Sequence, residues 1–241
     1  MNCIILCEGT TDLIMLQFMM QYKYKWIYKG FIENSVTNML QEKSFVRNED
    51  NLQIKSCGGI HNIPKQLRKI QERCSFAMRK EECYQKVLVM IDNDTIESKD
   101  LFIRRVNQEI GSDFSESVMN MGALDWNIKN DVLGNIMVSL LMNCIPDQHC
   151  GAIEQVMFEA LQTDAIEEML ISESKQYIER MANQQSRYLQ AKSRHAKASI
   201  NTYFAIRFPE EKYDERARIL RAFDWENNPL LSQSFRFLEE F

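Results

Sequence analysis

The chain has little glycine and less proline: eight and four among 241 residues. So few breakers exclude a collagenous, linker-rich or disordered polypeptide. Cysteine occurs seven times, an odd number at irregular spacing with no C-x-x-C, which excludes a disulfide framework and a zinc knuckle. No run approaches the ~18 apolar residues of a membrane span. The apolar start is interrupted by Glu8 and Asp12 and has no basic region before it, so it does not read as a signal peptide. Basic excess is missing as well. With 29 Lys and Arg against 34 Asp and Glu, net −5, bulk charge alone does not hold this protein to nucleic acid. The expectation is a cytoplasmic protein without a membrane partner.

What is present is ordinary globular material, 45% hydrophobic and 26% charged, long enough to bury a core unaided. Cys3–Cys7 is a short apolar run ending at Glu8-Gly9, followed by Leu13, Leu16 and Met20 at helical spacing. That pattern predicts strand, tight turn and helix. Leu52–Ser56 predicts a second strand, and Gly58-Gly59 turns it into a helix carrying Ile63, Leu67 and Ile70. Val87–Ile91 is the clearest strand, apolar throughout as a doubly covered parallel strand must be. A helix around Leu101–Ile110 and strands at Ser117–Met121 and Ile136–Cys144 follow.

Alternating strands and helices predict an α/β fold, a Rossmann-like, mostly parallel sheet over residues 1–150. Residues 23–50 read as a loop-rich insertion. Residues 151–241 read as a helical extension packed on the sheet. There Ile153, Val156, Met157 and Leu161 keep helical spacing, Met169, Ile178 and Met181 keep it more loosely, and Pro229 opens a last helix.

Two acidic segments sit where ligands of such sheets bind, beyond the carboxyl ends of strands. Glu8-Gly9-Thr10-Thr11-Asp12 follows the first strand, and Asp92-Asn93-Asp94 follows the strongest one. Carboxylates brought together repel, and a hard divalent cation relieves them. Oxygen donors of this kind suit Mg²⁺ or Mn²⁺. Gly9 suits a tight turn before a helix. Asp12 reads either as a metal or supporting residue or as a helix N-terminal acid.

Charge is uneven further on. Asp147–Glu179 holds eight acids and one base, and Arg180–Arg207 holds six bases and no acid. The basic stretch reads as a polyanion-binding face, with Arg187, Lys192 and Arg194 as backbone contacts, or as a solvated helix. Gly58-Gly59 amides suit a phosphate or simply make a turn. Tyr22, Tyr24, Trp26 and Tyr28 suit base stacking or packing. Asp125 and Asp131 stand in no motif.

The two acidic segments, each after its strand and in this order, resemble the Toprim domain of topoisomerases, DnaG-type primases and OLD-family (overcoming lysogenization defect) nucleases. The resemblance implies a general acid/base role for Glu8 and metal binding by Asp92 and Asp94. Ile145-Pro146 with Gly151-Ala152-Ile153-Glu154 resembles the Pro…G-[TA]-[LI]-E element of the OLD-type and small stand-alone members, which adds Glu154 to the metal set. Arg194-His195-Ala196-Lys197-Ala198 is similar to their lysine-bearing helix, which gives Lys197 a catalytic part. The implied activity is divalent-metal-dependent hydrolysis of DNA or RNA with two Mg²⁺ or Mn²⁺ ions, in nucleic-acid processing or phage defence. No G-x-x-x-x-G-K-[ST] occurs, so a partner ATPase would be a separate chain. The alternative implied is a catalytically weak nucleic-acid- or nucleotide-binding subunit acting with such an ATPase, or a homo-oligomer.

Overall fold

Val87, Leu88, Val89, Met90 and Ile91, three of them β-branched, all lie in the interior and form β5 (Lys86–Asp92). Around this strand a computed structural model describes residues 1–30, 42–95, 97–110, 123–146, 150–184, 187–189, 192–209, 221 and 223–241. The strand expected at Ser117–Met121 lies outside them. Contacts divide the chain into two units. The first comprises Met1–Ile91, Ile96–Cys144 and Phe237–Phe241, and the second Asp92–Thr95 and Ile145–Arg236.

The first unit holds β1 (Asn2–Cys7), α1 (Thr10–Phe18), β2 (Ile27–Gly30), β3 (Glu42–Arg47) and β4 (Asp50–Ser56). Then come α2 (Ile63–Ser75), β5, α3 (Ser98–Ile110), β6 (Ala123–Asn130) and β7 (Gly134–Ile145). The seven strands form one sheet in the order β2-β3-β4-β1-β5-β7-β6. β1 pairs parallel with β4 and with β5, with Cys7 opposite Ser56 on one side and Met90 on the other. The fold is α/β as its sequence pattern implies, and its sheet is mixed. β2–β3, β3–β4 and β6–β7 are antiparallel pairs.

Residues 23–50 are therefore more than loop. β2 and β3 extend the sheet there with half-covered polar strands, whose side chains lack the apolar run that marks β1 and β5. Trp26 is buried with the Arg47 guanidinium 4.5 Å from its ring centre, and Tyr22 stacks on Phe18, so these aromatics pack. The main core joins Ile4 and Leu6, the α2 face Ile63, Leu67 and Ile70, and Trp126, Ile128, Val138 and Leu140 of the β6–β7 hairpin. Gly58 and Gly59 turn β4 toward α2 at φ of +71° and +117°, where a β-carbon is strained.

The second unit is helical: α4 (Ile153–Leu161), α5 (Ala165–Asn183), α6 (Lys192–Arg207) and α7 (Pro229–Ser234). Asp164 caps α5, its Oδ1 accepting from the Ile166 and Glu167 amides. Pro229 does open the last helix, with Asn228 accepting from the Leu231 amide. Ile153, Val156, Met157 and Leu161 are buried as their spacing predicts. On α5 the buried face is Ile171, Ser174 and Ile178, so Met169 and Met181 face outward. The last five residues, read with the helical extension, belong instead to the first unit. Among the described residues no helix is long and apolar enough to cross a membrane.

Candidate functional site

In the first unit the turn between β1 and α1 is closed by its own acid. The Gly9 amide donates to Asp12 Oδ2 at 2.7 Å, and Asp12 is buried. An acid three residues into a helix meets free amides and the positive end of the helix dipole there. Gly9 is extended (φ −133°), and a β-carbon on it would meet nothing nearer than Asp12 Oδ2 at 3.9 Å. The turn therefore does not need a glycine, although its tightness in the sequence suggests one.

The Glu8 carbonyl accepts from the Gly59 amide at 2.8 Å, which commits one of the two glycine amides that looked suited to a phosphate. Burial pushes the Cys57 thiol up to about 12, and the Glu8 and Asp12 charges push the same way against Lys55. His61 is engaged as well: its Nδ1 accepts from Arg105 Nη1 at 2.6 Å.

In the second unit four residues singled out by their sequence are drawn into one place. Asp92, the last residue of β5, is 5% exposed. Its Oδ1 accepts from the Ile153 amide at 3.1 Å, the first amide of α4, and its Oδ2 lies 3.7 Å from Lys197 Nζ. A helix N-terminus and an ammonium both favour a charged carboxylate. Glu154 follows Ile153 and is 3% exposed, and among the described residues its Oε2 has no hydrogen-bond partner. Asp94 reaches solvent; desolvation of its carboxyl raises its pKa, while Lys197 pulls the other way.

Asn93, which had no role in the acidic motif, organises this place. Its amide donates to the Ile145 carbonyl at 3.0 Å and its Nδ2 to the Pro146 carbonyl at 3.0 Å, while its own carbonyl accepts from Gly151 at 2.7 Å. The Ile145–Pro146 bond is cis. A β-carbon on Gly151 would stand 1.7 Å from Gln155 Oε1, so this glycine makes room for a side chain of α4. A buried asparagine must pair its donors, and here both go to backbone carbonyls far along the chain.

Among the described residues no three His, Cys, Asp or Glu side chains form a group able to hold a metal ion. The family described as "Protein of unknown function (DUF3226)" matches residues 2–241. The chain belongs to that family. No curated protein matches it. A solved structure, a hypothetical protein from Pyrococcus horikoshii OT3, is similar over 98% of this chain and 99% of its own, with 11% identity and a TM-score of 0.49.

The four cations singled out in the sequence of this DUF3226 protein, Arg187, Lys192, Arg194 and Lys197, lie along α6 and the turn before it. Arg194 and Lys197 are three apart and exposed, so they share one face of the helix. Arg194 Nη1 donates to the Tyr188 carbonyl at 3.4 Å and His195 Nε2 lies 2.7 Å from the Leu189 carbonyl, which tie the turn to α6. Arg187 lies over the Tyr188 ring at 4.8 Å. Lys192 opens α6, and its side chain is outside the described residues.

Proposed function

We propose that this protein is a divalent-metal-dependent nuclease of the Toprim type, hydrolysing phosphodiester bonds of DNA or RNA. The observation that carries the reading is the meeting of Asp92, Lys197 and the glutamate-bearing start of α4, since carboxylates beside one exposed ammonium suit a phosphate substrate.

The donor set fits Mg²⁺ or Mn²⁺: every candidate ligand is an oxygen, and Glu154 Oε2 is a buried oxygen with no hydrogen-bond partner among the described residues. Asp92, Asp94 and Glu154 would hold such ions, with Glu8 and Asp12 as the remaining candidates. The chemistry a pair of ions supplies is activation of water and stabilisation of the leaving oxygen. Glu8 would move the proton. Asp92 fixes the start of α4 through the Ile153 amide, which orients Glu154. Lys197 would set its ammonium against charge growing on the scissile phosphate, and Arg194, Arg187 and Lys192 would hold the flanking backbone.

The test is incubation of the purified protein with end-labelled single- and double-stranded DNA and RNA in Mg²⁺ or Mn²⁺, beside Asp92→Ala and Asp94→Asn. Cleavage that needs metal and is lost in both variants is expected. Cleavage by the variants at the wild-type rate, or none by wild type on any substrate, overturns the reading.

A second reading has its own support. Lys197 is a counter-charge to Asp92, and among the described residues no three His, Cys, Asp or Glu side chains form a group able to hold a metal ion, which suits a nucleic-acid- or nucleotide-binding subunit that works with a separate ATPase. Metal-independent binding without cleavage distinguishes it.

A further inference from the structure

β6 is at one end of the sheet, and among the described residues no strand pairs with its outer side. Such an edge offers a row of backbone donors and acceptors to any strand that fits. Its residues alternate: Ala123, Asp125, Asn127 and Lys129 are exposed, while Trp126, Ile128 and Asn130 are buried. The exposed face thus carries an acid, an amide and a base at equal steps, and neither Asp125 nor Lys129 has an ion-pair partner among the described residues. Met137 of β7, opposite Asn127 in the hairpin, is 63% exposed and leaves an apolar spot beside the middle of the edge.

We propose that β6 is a self-complementary interface, and that a second copy of this chain pairs with it antiparallel about a two-fold axis at Asn127. Directly opposite residues in an antiparallel pair interact strongly, and sign decides whether they attract. With Asn127 facing Asn127, Asp125 meets the second copy's Lys129, and Lys129 meets the second copy's Asp125. A shift of the centre by one residue breaks both matches, and parallel pairing sets like charge on like.

The charges therefore select one register, and that register is the one a closed two-fold dimer needs. An edge guarded against its own copies puts like charges across the seam, and this one does the reverse. Centred on Asn127, residues 124–130 of β6 pair with their copies, and these seven positions give a seam of roughly 24 Å, at about 3.4 Å per residue. The two Met137 side chains flank the Asn127 pair on the exposed face. The inference is independent of the nuclease reading, because its readout is association and not cleavage.

The test is analytical ultracentrifugation of the full chain over a range of concentrations. Wild type should dimerise. Asp125→Lys and Lys129→Asp each convert both cross-strand pairs to like charges, and each should weaken self-association by about tenfold or more. Both positions are exposed, and circular dichroism checks that the variants fold.

Two rescues follow from the symmetry. The double variant Asp125→Lys/Lys129→Asp restores opposite charges and should dimerise nearly as wild type. The two single variants, mixed, should form a heterodimer, because each then meets its opposite. A wild type that stays monomeric throughout overturns the proposal. So does dimerisation indifferent to the single reversals, or a mixture that fails to associate.

Discussion

Lys197 Nζ stands 3.7 Å from Asp92 Oδ2, the lysine half exposed and the aspartate side chain 6% exposed. The pairing is unequal in consequence. Lys197 has water as an alternative partner, whereas Asp92 has given up water and its partners include the ammonium and the Ile153 amide.

A double-mutant cycle over Asp92→Asn and Lys197→Met should therefore show a small favourable coupling, about 0.5–1 kcal/mol, the size of a half-screened pair. Asp92→Ala should lose a further ~1–2 kcal/mol, because the Ile153 amide at the start of α4 loses its acceptor. Urea unfolding of the four proteins measures both. Additive single effects would mean that the two charges do not feel each other in solution.

Lys43 makes a different pH-dependent prediction. Its ammonium is largely buried, donates to Gln17 Oε1 and lies 5.9 Å from the Tyr28 ring centre; burial lowers its pKa to about 8. Between that value and the ordinary lysine value of about 10.4 the unfolded chain holds a proton the folded chain has released. Stability contributed by this group must then rise with pH through that window, and below about 8 the full cost of the buried charge is present, at most ~2–3 kcal/mol. Lys43→Met should be more stable than wild type at pH 7, with the gap closing toward pH 10. Comparison with the variant cancels the buried thiols, which act in the opposite sense above about pH 9. A gap that does not change with pH would place Lys43 in water.

The cysteines offer a direct count. Of the seven only Cys150 is exposed, Cys57 is intermediate and the other five are buried. Burial pushes the thiols of Cys3 to about 11 and of Cys57 to about 12, where little thiolate exists at neutral pH. An aromatic disulfide reagent at pH 8 should titrate one thiol quickly in the native protein and all seven in denaturant. Cys150→Ser should abolish the fast phase. Two or more fast thiols would mean that the core opens readily around Cys57 or another of the buried set.

How far the fold could be read in advance depended on burial. Cys3–Cys7 and Val87–Ile91 announce their strands because the interior accepts only apolar side chains on both faces. β6 hides, since only Trp126 and Ile128 alternate there with Asp125, Asn127 and Lys129, too short a pattern to separate from loop. β2 and β3 hide for the same reason: Lys43 and Arg47 occupy strand positions on side-chain contacts that spacing cannot foresee.

The candidate site divides likewise. Asp92 and Glu154 were legible as candidates from their motifs and their places at a strand end and a helix start, and Lys197 from its motif alone. Asn93 was not, because its work is done on backbone groups of Ile145, Pro146 and Gly151, which only folding brings to it. The placement of Met169 and Met181 shows the limit of loose spacing, for Ser174 takes the inner position between Ile171 and Ile178.

Lys197 and Arg187 should separate chemistry from binding. Arg187 is exposed and lies over the Tyr188 ring, so as a backbone contact it should contribute mainly affinity. Removing one cation from a phosphate should lower the salt slope of binding by roughly 0.7–0.9. Arg187→Ala and Arg194→Ala should each weaken nucleic-acid binding modestly, most visibly at low salt, with turnover at saturating substrate nearly kept.

Lys197→Ala removes an ammonium set against Asp92 and close enough to bear on Asp94. If that charge serves the scissile phosphate, its removal shows in turnover at saturation, about a hundredfold or more, with a far smaller change in affinity. Rates and affinities of the three variants in Mn²⁺ across a salt series decide between these patterns. Equal effects for Lys197→Ala and Arg187→Ala, confined to affinity, would make Lys197 one more cation along α6.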